Sequence, residues 1–473
     1  MVTYNANFEK LKQIFIECDV SKAEATIIDD RDRILEEIQK TMPLHQMNTS
    51  IKTALVESAR IEVSRTELNY GKSSKKTALA LYKYANMLNF IGQNTEALPL
   101  IQRTLKINEK IYGKKHLETA TALNNVAYLL RSMGRNEEAL TLFRRSLVIY
   151  EREYGSEHPR TATTIDNLAG ALKNLNRNEE ALTYFQKALA IRRKICGEEH
   201  VETATSLHNQ ALLFYGMKKY EEARPLFEKA LSIYEKVLGP EHPNVAITMY
   251  PLANTLHNLL KYEEALPLYQ KHASITEKVF GGYSQLALPF HQQALLLNSM
   301  KKYEESIVFF KKSLAIYEKV YGEHSYTAIS LYYQAVVYSD SLQKFEEALP
   351  LYQRSLSISE KVNGPEHADT AAALTGVANT LKGLKKYEEA LPLHRRALAI
   401  REEIFGSEHL ITAISLHNLA TLLQTIEKYE EALPLYQRAL SIREKILGQE
   451  HSLVVTTRND FAEVSKKLQE VKN

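Results

Sequence analysis

Ten glycines divide this chain at a nearly constant interval: Gly71, Gly113, Gly155, Gly197, Gly239, Gly281, Gly322, Gly364, Gly406 and Gly448 are 42 residues apart, with one spacing of 41. Landmarks held in phase over so many intervals mean that one supersecondary unit is repeated along the chain. Each glycine closes a stretch such as Glu430 to Gly448, in which apolar residues recur at three and four. That period predicts an amphipathic helix, and the glycine just past it is a C-terminal cap where positive φ carries no steric penalty. Acidic residues open these stretches and Lys or Arg crowd their second halves, which complements the helix dipole. This is helix B. Between each glycine and the next helix B lies a second periodic stretch, helix A, for example Thr121 to Leu130 with Leu123, Val126, Ala127 and Leu130 on one face.

Small residues recur where two helices must approach closely: Ala127, Ala169, Ala211, Ala253, Ala294, Ala335, Ala378 and Ala420 in helix A, and Ala139, Ala181, Ala223, Ala265, Ala348, Ala390 and Ala432 in helix B. Pro99, Pro225, Pro267, Pro350, Pro392 and Pro434 fall near the start of helix B. A lone proline predicts a helix end; recurring inside otherwise unbroken patterns, these predict a tolerated bend. No single unit can bury its own apolar stripe, so neighbours must stack. The expected fold is all-α: a right-handed superhelical solenoid of antiparallel helix pairs with helical caps and one concave wall. Gly281-Gly-Tyr-Ser-Gln is one residue short before helix A, and repeat 323–364 lengthens the turn before Phe345, so a local change of pitch is expected there.

Residues 1–71 do not follow the repeat cleanly. Phe8, Leu11 and Phe15 suggest one short helix, Ile27, Ile34, Leu35 and Ile38 another, and Ala54 to Gly71 helix B of a degraded repeat. The expected organisation is an N-terminal helical cap over 1–71, with a separate docking element as the alternative, then nine repeats over 72–448 and a capping helix in 449–473. Lys and Arg total 60 against 57 acidic residues, so no sequence-wide field favours nucleic acid or an anionic membrane. Only Cys18 and Cys196 occur, no leader pattern opens the chain and no long apolar run crosses it, which predicts a cytoplasmic protein with no membrane partner.

Leu123-Asn-Asn-Val-Ala127, Glu157-His-Pro159, His417-Asn-Leu-Ala420 and Tyr429-Glu-Glu-Ala432 carry a resemblance to the tetratricopeptide repeat in its longer form, and within that class to the repeats of kinesin light chains, over about residues 72–462. The resemblance implies a non-catalytic scaffold or adaptor that binds a peptide or protein partner in its concave groove, with cargo adaptor or pathogen effector as alternatives. In kinesin light chains a heptad coiled coil precedes the array; residues 1–71 contain no such run.

With Leu123, Val126, Ala127 and Leu130 turned toward the partner helix, positions 121, 124, 125, 128, 131 and 132 face the concave side. Mapped along the chain, this frame gives an asparagine series, Asn125, Asn167, Asn209 and Asn418, interrupted by Pro251, Gln292, Tyr333 and Gly376. Carboxamides both donate and accept, so they can pair with any extended backbone; the resemblance implies a peptide-backbone clamp at these four. Asn124, His208, Arg131, Lys173, Asn254, Asn379 and Lys382 complete the candidate peptide-binding set, with Asp166, Tyr250, His291, Tyr332 and His417 among the neighbouring groove positions. The mixture is polar, aromatic and mildly basic and suits an acidic or aromatic-containing peptide.

Eight histidines follow the glycine turn: His116, His158, His200, His242, His324, His367, His409 and His451. Equivalent residues of stacked repeats stand about a helix diameter apart, too far to share one ion, so they are expected to be structural. Cys196 occupies the slot of Tyr112 and Tyr154 and is expected in the core. No phosphate-cradling loop, nucleophile elbow or His-Glu-x-x-His occurs, so neither enzyme, metal nor cofactor is expected. An RNA-binding helical repeat is disfavoured by the balanced charge.

Overall fold

The computed structural model describes residues 49–280 and 283–472. The helices expected around Phe8 and Ile27, Cys18 and the Gly281-Gly282 junction lie outside the described residues. Among those described there are twenty α-helices, one short π-helical segment and no strand. Helices A are α2 (Lys75–Phe90), α4 (Leu117–Ser132), α6 (Pro159–Asn174), α8 (Val201–Gly216), α10 (Pro243–Asn258), α12 (Tyr283–Ser299), α14 (Ser325–Val336), α16 (Ala368–Gly383) and α18 (Leu410–Thr425). Helices B are α3 (Asn94–Tyr112), α5 (Asn136–Tyr154), α7 (Asn178–Cys196), α9 (Tyr220–Leu238), α11 (Tyr262–Phe280), α13 (Tyr303–Tyr321), α15 (Phe345–Val362), α17 (Tyr387–Phe405) and α19 (Tyr429–Leu447). They are flanked by α1 (Thr49–Tyr70) and α20 (Ser452–Lys472). The chain forms two compact units, Met1–Thr255 and Leu256–Asn473. Within each, every helix packs chiefly on its neighbours in sequence, as a solenoid requires.

Local chemistry explains the punctuation. Gly113 ends α3 at φ +85°, a conformation that favours glycine, and its carbonyl accepts from Thr119 Oγ1 at 2.8 Å. The same bond, six residues long, joins Thr161 to Gly155, Thr203 to Gly197 and Thr412 to Gly406. All eight turn histidines present Nδ1 to the backbone N–H two residues on, at 3.1–3.3 Å. Each imidazole thus takes the place of the usual Ser or Asp at a helix N-terminus. The prolines of helix B sit at its sixth residue without breaking it. At that position only the carbonyl of the second helical residue loses its partner, close to the end where water can replace it.

The recurrent alanines of both helices are all fully buried at the crossing of each pair. Beside them runs one helix B position, Ile101, Phe143, Phe185, Phe227, Tyr269, Phe310, Tyr352, His394 and Tyr436, which supplies the largest buried side chains. The longer turn of repeat 323–364 is taken up at the end of α14: Val337–Ser341 is π-helical, and the Lys344 N–H reaches back six residues to the Tyr338 carbonyl. An extra residue absorbed by widening one turn is the ordinary origin of a π segment. On the opposite face, ion pairs 36 residues apart tie successive helices B together: Arg103 to Glu67 and Lys187 to Glu151 in the first unit, Arg396 to Glu360 and Arg438 to Glu402 in the second.

Candidate functional site

The outward stripe of each helix A holds the candidate side chains. In the first unit a recess of about 190 Å³ lies between α2 and α4, lined by Tyr82, Ala85, Asn86 and Asn89 from α2, Ile101 from α3, and Asn125, Tyr128 and Leu129 from α4. Three carboxamides and two tyrosines around an apolar floor can hydrogen-bond a backbone and cover a side chain at once. Asn86 occupies the place on α2 that Tyr128 holds on α4, and Asn89 that of Arg131, so the recess needs two consecutive repeats.

Asn125, Asn167 and Asn209 are half-buried at equivalent places on α4, α6 and α8. Asn124 is also half-buried, its Oδ1 3.5 Å from Asn167 Nδ2. Arg131 lies along the wall with its guanidinium 5.2 Å above the Tyr128 ring and Nη1 3.4 Å from the Asn167 carbonyl. Gly170 makes room for it, since a Cβ there would stand 2.4 Å from that nitrogen. Lys173 is half-buried one repeat further on. Burial pulls both cations below their ordinary pKa, and Arg131 lowers Lys173 further. Among the described residues no carboxylate stands within ion-pairing distance of either. Asn254 is half-buried on α10, where it bonds the Tyr250 hydroxyl.

Two expected groove residues are placed differently. His208 is 9% exposed, with Nδ1 3.1 Å from Thr248 Oγ1 and its ring edge-on to Phe227. Burial, then Lys173, pushes its pKa down to about 4, so it is a neutral packing residue rather than a contact for a guest. Asp166 is 6% exposed and paired with Arg192 of α7, while Ser206 of α8 donates to the same carboxylate oxygen at 3.1 Å. Burial raises Asp166 to about 6, against the opposing pull of Arg192 and Ser206. The physical reason is the helical frame on these helices: Asp166 and His208 are wedged against neighbouring helices, whereas Asn167 and Asn209, one residue on, are only half-buried. Cys196 likewise departs from its expected core position and is partly exposed with a free thiol.

In the second unit Asn418 and Lys382 are half-buried and Asn379 is exposed. Burial lowers the Lys382 pKa, and no carboxylate lies within ion-pairing distance among the described residues. His417 packs edge-on against Tyr436, with Nε2 3.7 Å from an oxygen of Asp460 on α20. His291, like His208, is buried, its ring edge-on to Phe310 and Tyr333. Two further arginines, absent from the expected set, lie here: Arg401 of α17 donates to Ser415 Oγ at 2.6 Å, and Arg443 of α19 donates to Thr457. Their signal was present in the sequence, since Ile400-Arg401 and Ile442-Arg443 put a cation where Tyr150, Tyr234 and Tyr317 stand in other repeats. Among the described residues no helix is long and apolar enough to cross a membrane, and no three metal-ligating side chains converge.

A family model described as tetratricopeptide repeat matches the chain in overlapping blocks from residues 76–147 to 202–278 and from 285–361 to 411–465. No curated protein matches. Among solved structures the chain is similar to a Podosopora anserina putative kinesin light chain with nearly identical repeats, at 24% identity over 43% of this chain and 96% of that one, TM-score 0.37. It is also similar to the apo form of RapI, at 15% identity over 78% of this chain and 98% of that one, TM-score 0.58. The apo quorum sensor NprR from B. thuringiensis is 15% identical over 75% of this chain and 98% of its own, TM-score 0.50.

Proposed function

Because the chain belongs to the tetratricopeptide repeat family, we propose that it is a non-catalytic scaffold holding an extended segment of a partner protein along the outward faces of its helices A. The observation that carries this reading is the recess between α2 and α4, with Asn86, Asn89 and Asn125 as backbone partners and Tyr82 and Tyr128 as walls. Arg131 and Lys173 continue the wall as cations with no carboxylate in ion-pairing distance among the described residues, which favours acidic residues in the guest. In this reading residues 72–448 are the repeats, the flanking segments close the array, and the protein works in the cytoplasm. A role as cargo adaptor would use the same wall; RNA, which needs a basic groove, does not suit it.

The test is fluorescence anisotropy with peptides selected against the purified chain from a random extended library. An Asn125, Asn167 and Asn209 to alanine triple variant is expected to bind them about tenfold or more weakly, as loss of several backbone hydrogen bonds implies. Unchanged affinity for every selected peptide overturns the groove assignment.

A further inference from the structure

A cavity of about 450 Å³ opens between α1 and α3, on the face where the ion pairs of helices B run. It is lined by Glu67 of α1, Lys72 and Ser73 of the turn that follows, and Arg103, Lys106 and Lys110 of α3. Arg103 fixes its shape: Nη1 pairs with Glu67 at 2.5 Å and Nη2 donates to the Lys72 carbonyl at 3.0 Å. Thr77 Oγ1 donates to the Gly71 carbonyl at 2.8 Å, so the turn that carries Lys72 and Ser73 is held on both sides. Glu67 is thereby engaged. The side chains of Lys72, Lys106 and Lys110 are exposed, and none of them makes an ion pair or hydrogen bond among the described residues.

Several later repeats show what this cavity lacks. Two residues past the cap glycine they carry a glutamate, which pairs with a lysine near the end of the next helix B: Glu157 with Lys194 at 2.6 Å, Glu408 with Lys445 at 3.3 Å, and Glu199 with Lys236. Ser73 stands at that place before α3 and leaves Lys110, the counterpart of Lys194, without its acid. Lys106 is the second departure, since the same place on other helices B holds Val148, Ala190, Ser232, Ala315 and Ala399. Both exchanges make one cavity more positive. Lysines gathered around a cleft add their fields there, as single lysines on a helix surface do not.

The charge count selects the ligand. A carboxylate answers one of the three lysines, whereas a phosphomonoester brings close to two negative charges and three acceptor oxygens. An ammonium is a compact charge that takes a phosphate oxygen without the planar fork of arginine. The Ser73 hydroxyl is one more donor, and the volume leaves room for the carbon skeleton of the ester. We propose that this cavity binds a phosphomonoester through Lys72, Lys106 and Lys110, assisted by Ser73. The site shares no residue with the guest wall on helices A, so it stands apart from the reading above.

Two variants return the cavity to the pattern of other repeats: Ser73→Glu supplies the acid found at Glu157, and Lys106→Ala the residue found at Ala190. Calorimetric titration of the full chain with glycerol phosphate at constant ionic strength is expected to show one site in the wild type. Each variant is expected to weaken it about tenfold or more, the worth of one charge-assisted contact, and acetate at the same concentrations is expected not to compete. No binding by the wild type, unchanged affinity in both folded variants, or equal competition by acetate overturns the site. Sedimentation with phosphatidylcholine vesicles, with and without phosphatidic acid, separates the two sources of such an ester. Pelleting that requires phosphatidic acid, is reversed by glycerol phosphate and is lost in Ser73→Glu supports the site with a lipid headgroup as its ligand. Binding of glycerol phosphate without pelleting supports it with a soluble ester.

Discussion

At His394 the buried aromatic position of helix B is filled by a titratable ring whose Nε2 has no hydrogen-bond partner. Burial, then the nearby Lys382 and Arg401, depresses its pKa to about 4. Because the folded value lies below the ordinary 6.5, the unfolded chain takes up a proton first. The stabilisation is complete above about pH 6.5 and is lost as pH falls toward 4. His208, His291 and His417 act in the same sense. Asp166, raised to about 6, acts oppositely, losing stability as pH climbs through that range. His394→Tyr restores the residue found at Tyr352 and Tyr436, with Asn379 placed to meet its hydroxyl as Thr421 meets that of Tyr436. Urea titrations at pH 7 and pH 5 should show the variant losing about 2 kcal/mol less than wild type on acidification; parallel losses would refute the buried neutral ring. The burial of His208 and Asp166 was hard to foresee from periodicity alone. One step around a helix, from Asp166 to Asn167 or from His208 to Asn209, separates a side chain wedged between neighbours from one that is only half-buried.

Among the elements, the pairing of helices A and B was legible throughout, because glycine, alanine and proline each recur at a place where geometry restricts the choice. The turn from A to B was less so. Gly92 and Gly134 occupy its left-handed position in the first two repeats, but later repeats place Asn176, Lys218, Leu260, Lys301, Gln343, Lys385 and Glu427 there with φ of 56–63°. Glycine is therefore replaceable at this turn, at a cost in strain, whereas the C-terminal cap of helix B keeps it in nearly every described repeat. Leu260 is 71% exposed, so no packing is lost by removing its side chain. Leu260→Gly should stabilise the chain by about 1 kcal/mol, read as a higher urea midpoint. A fall would mean that the leucine makes a contact outweighing its backbone strain. The face proposed for the guest was read from the asparagine series and from Lys173 and Lys382, most of which the structure leaves half-buried. It was not legible as chemistry, because the arginines of helix B look like core defects until their hydroxyl partners are seen.

At the level of the whole molecule, substantial packing joins helices adjacent in sequence or once removed. Damage should therefore stay local. Phe143→Ala empties a fully buried site in α5, an exchange that costs about 3–5 kcal/mol in a core. Hydrogen exchange should rise in α4 to α6 while α15 to α19 keep their protection. Uniform loss would show that the repeats unfold as one body. The same neighbour-to-neighbour construction bears on how the protein is made. A helix pair emerging from a ribosome meets its entire set of stabilising contacts once about one more repeat has been synthesised, so no segment waits for a distant one. Such a chain can settle at the pace of translation, with its newest apolar stripe the main surface that a chaperone needs to guard.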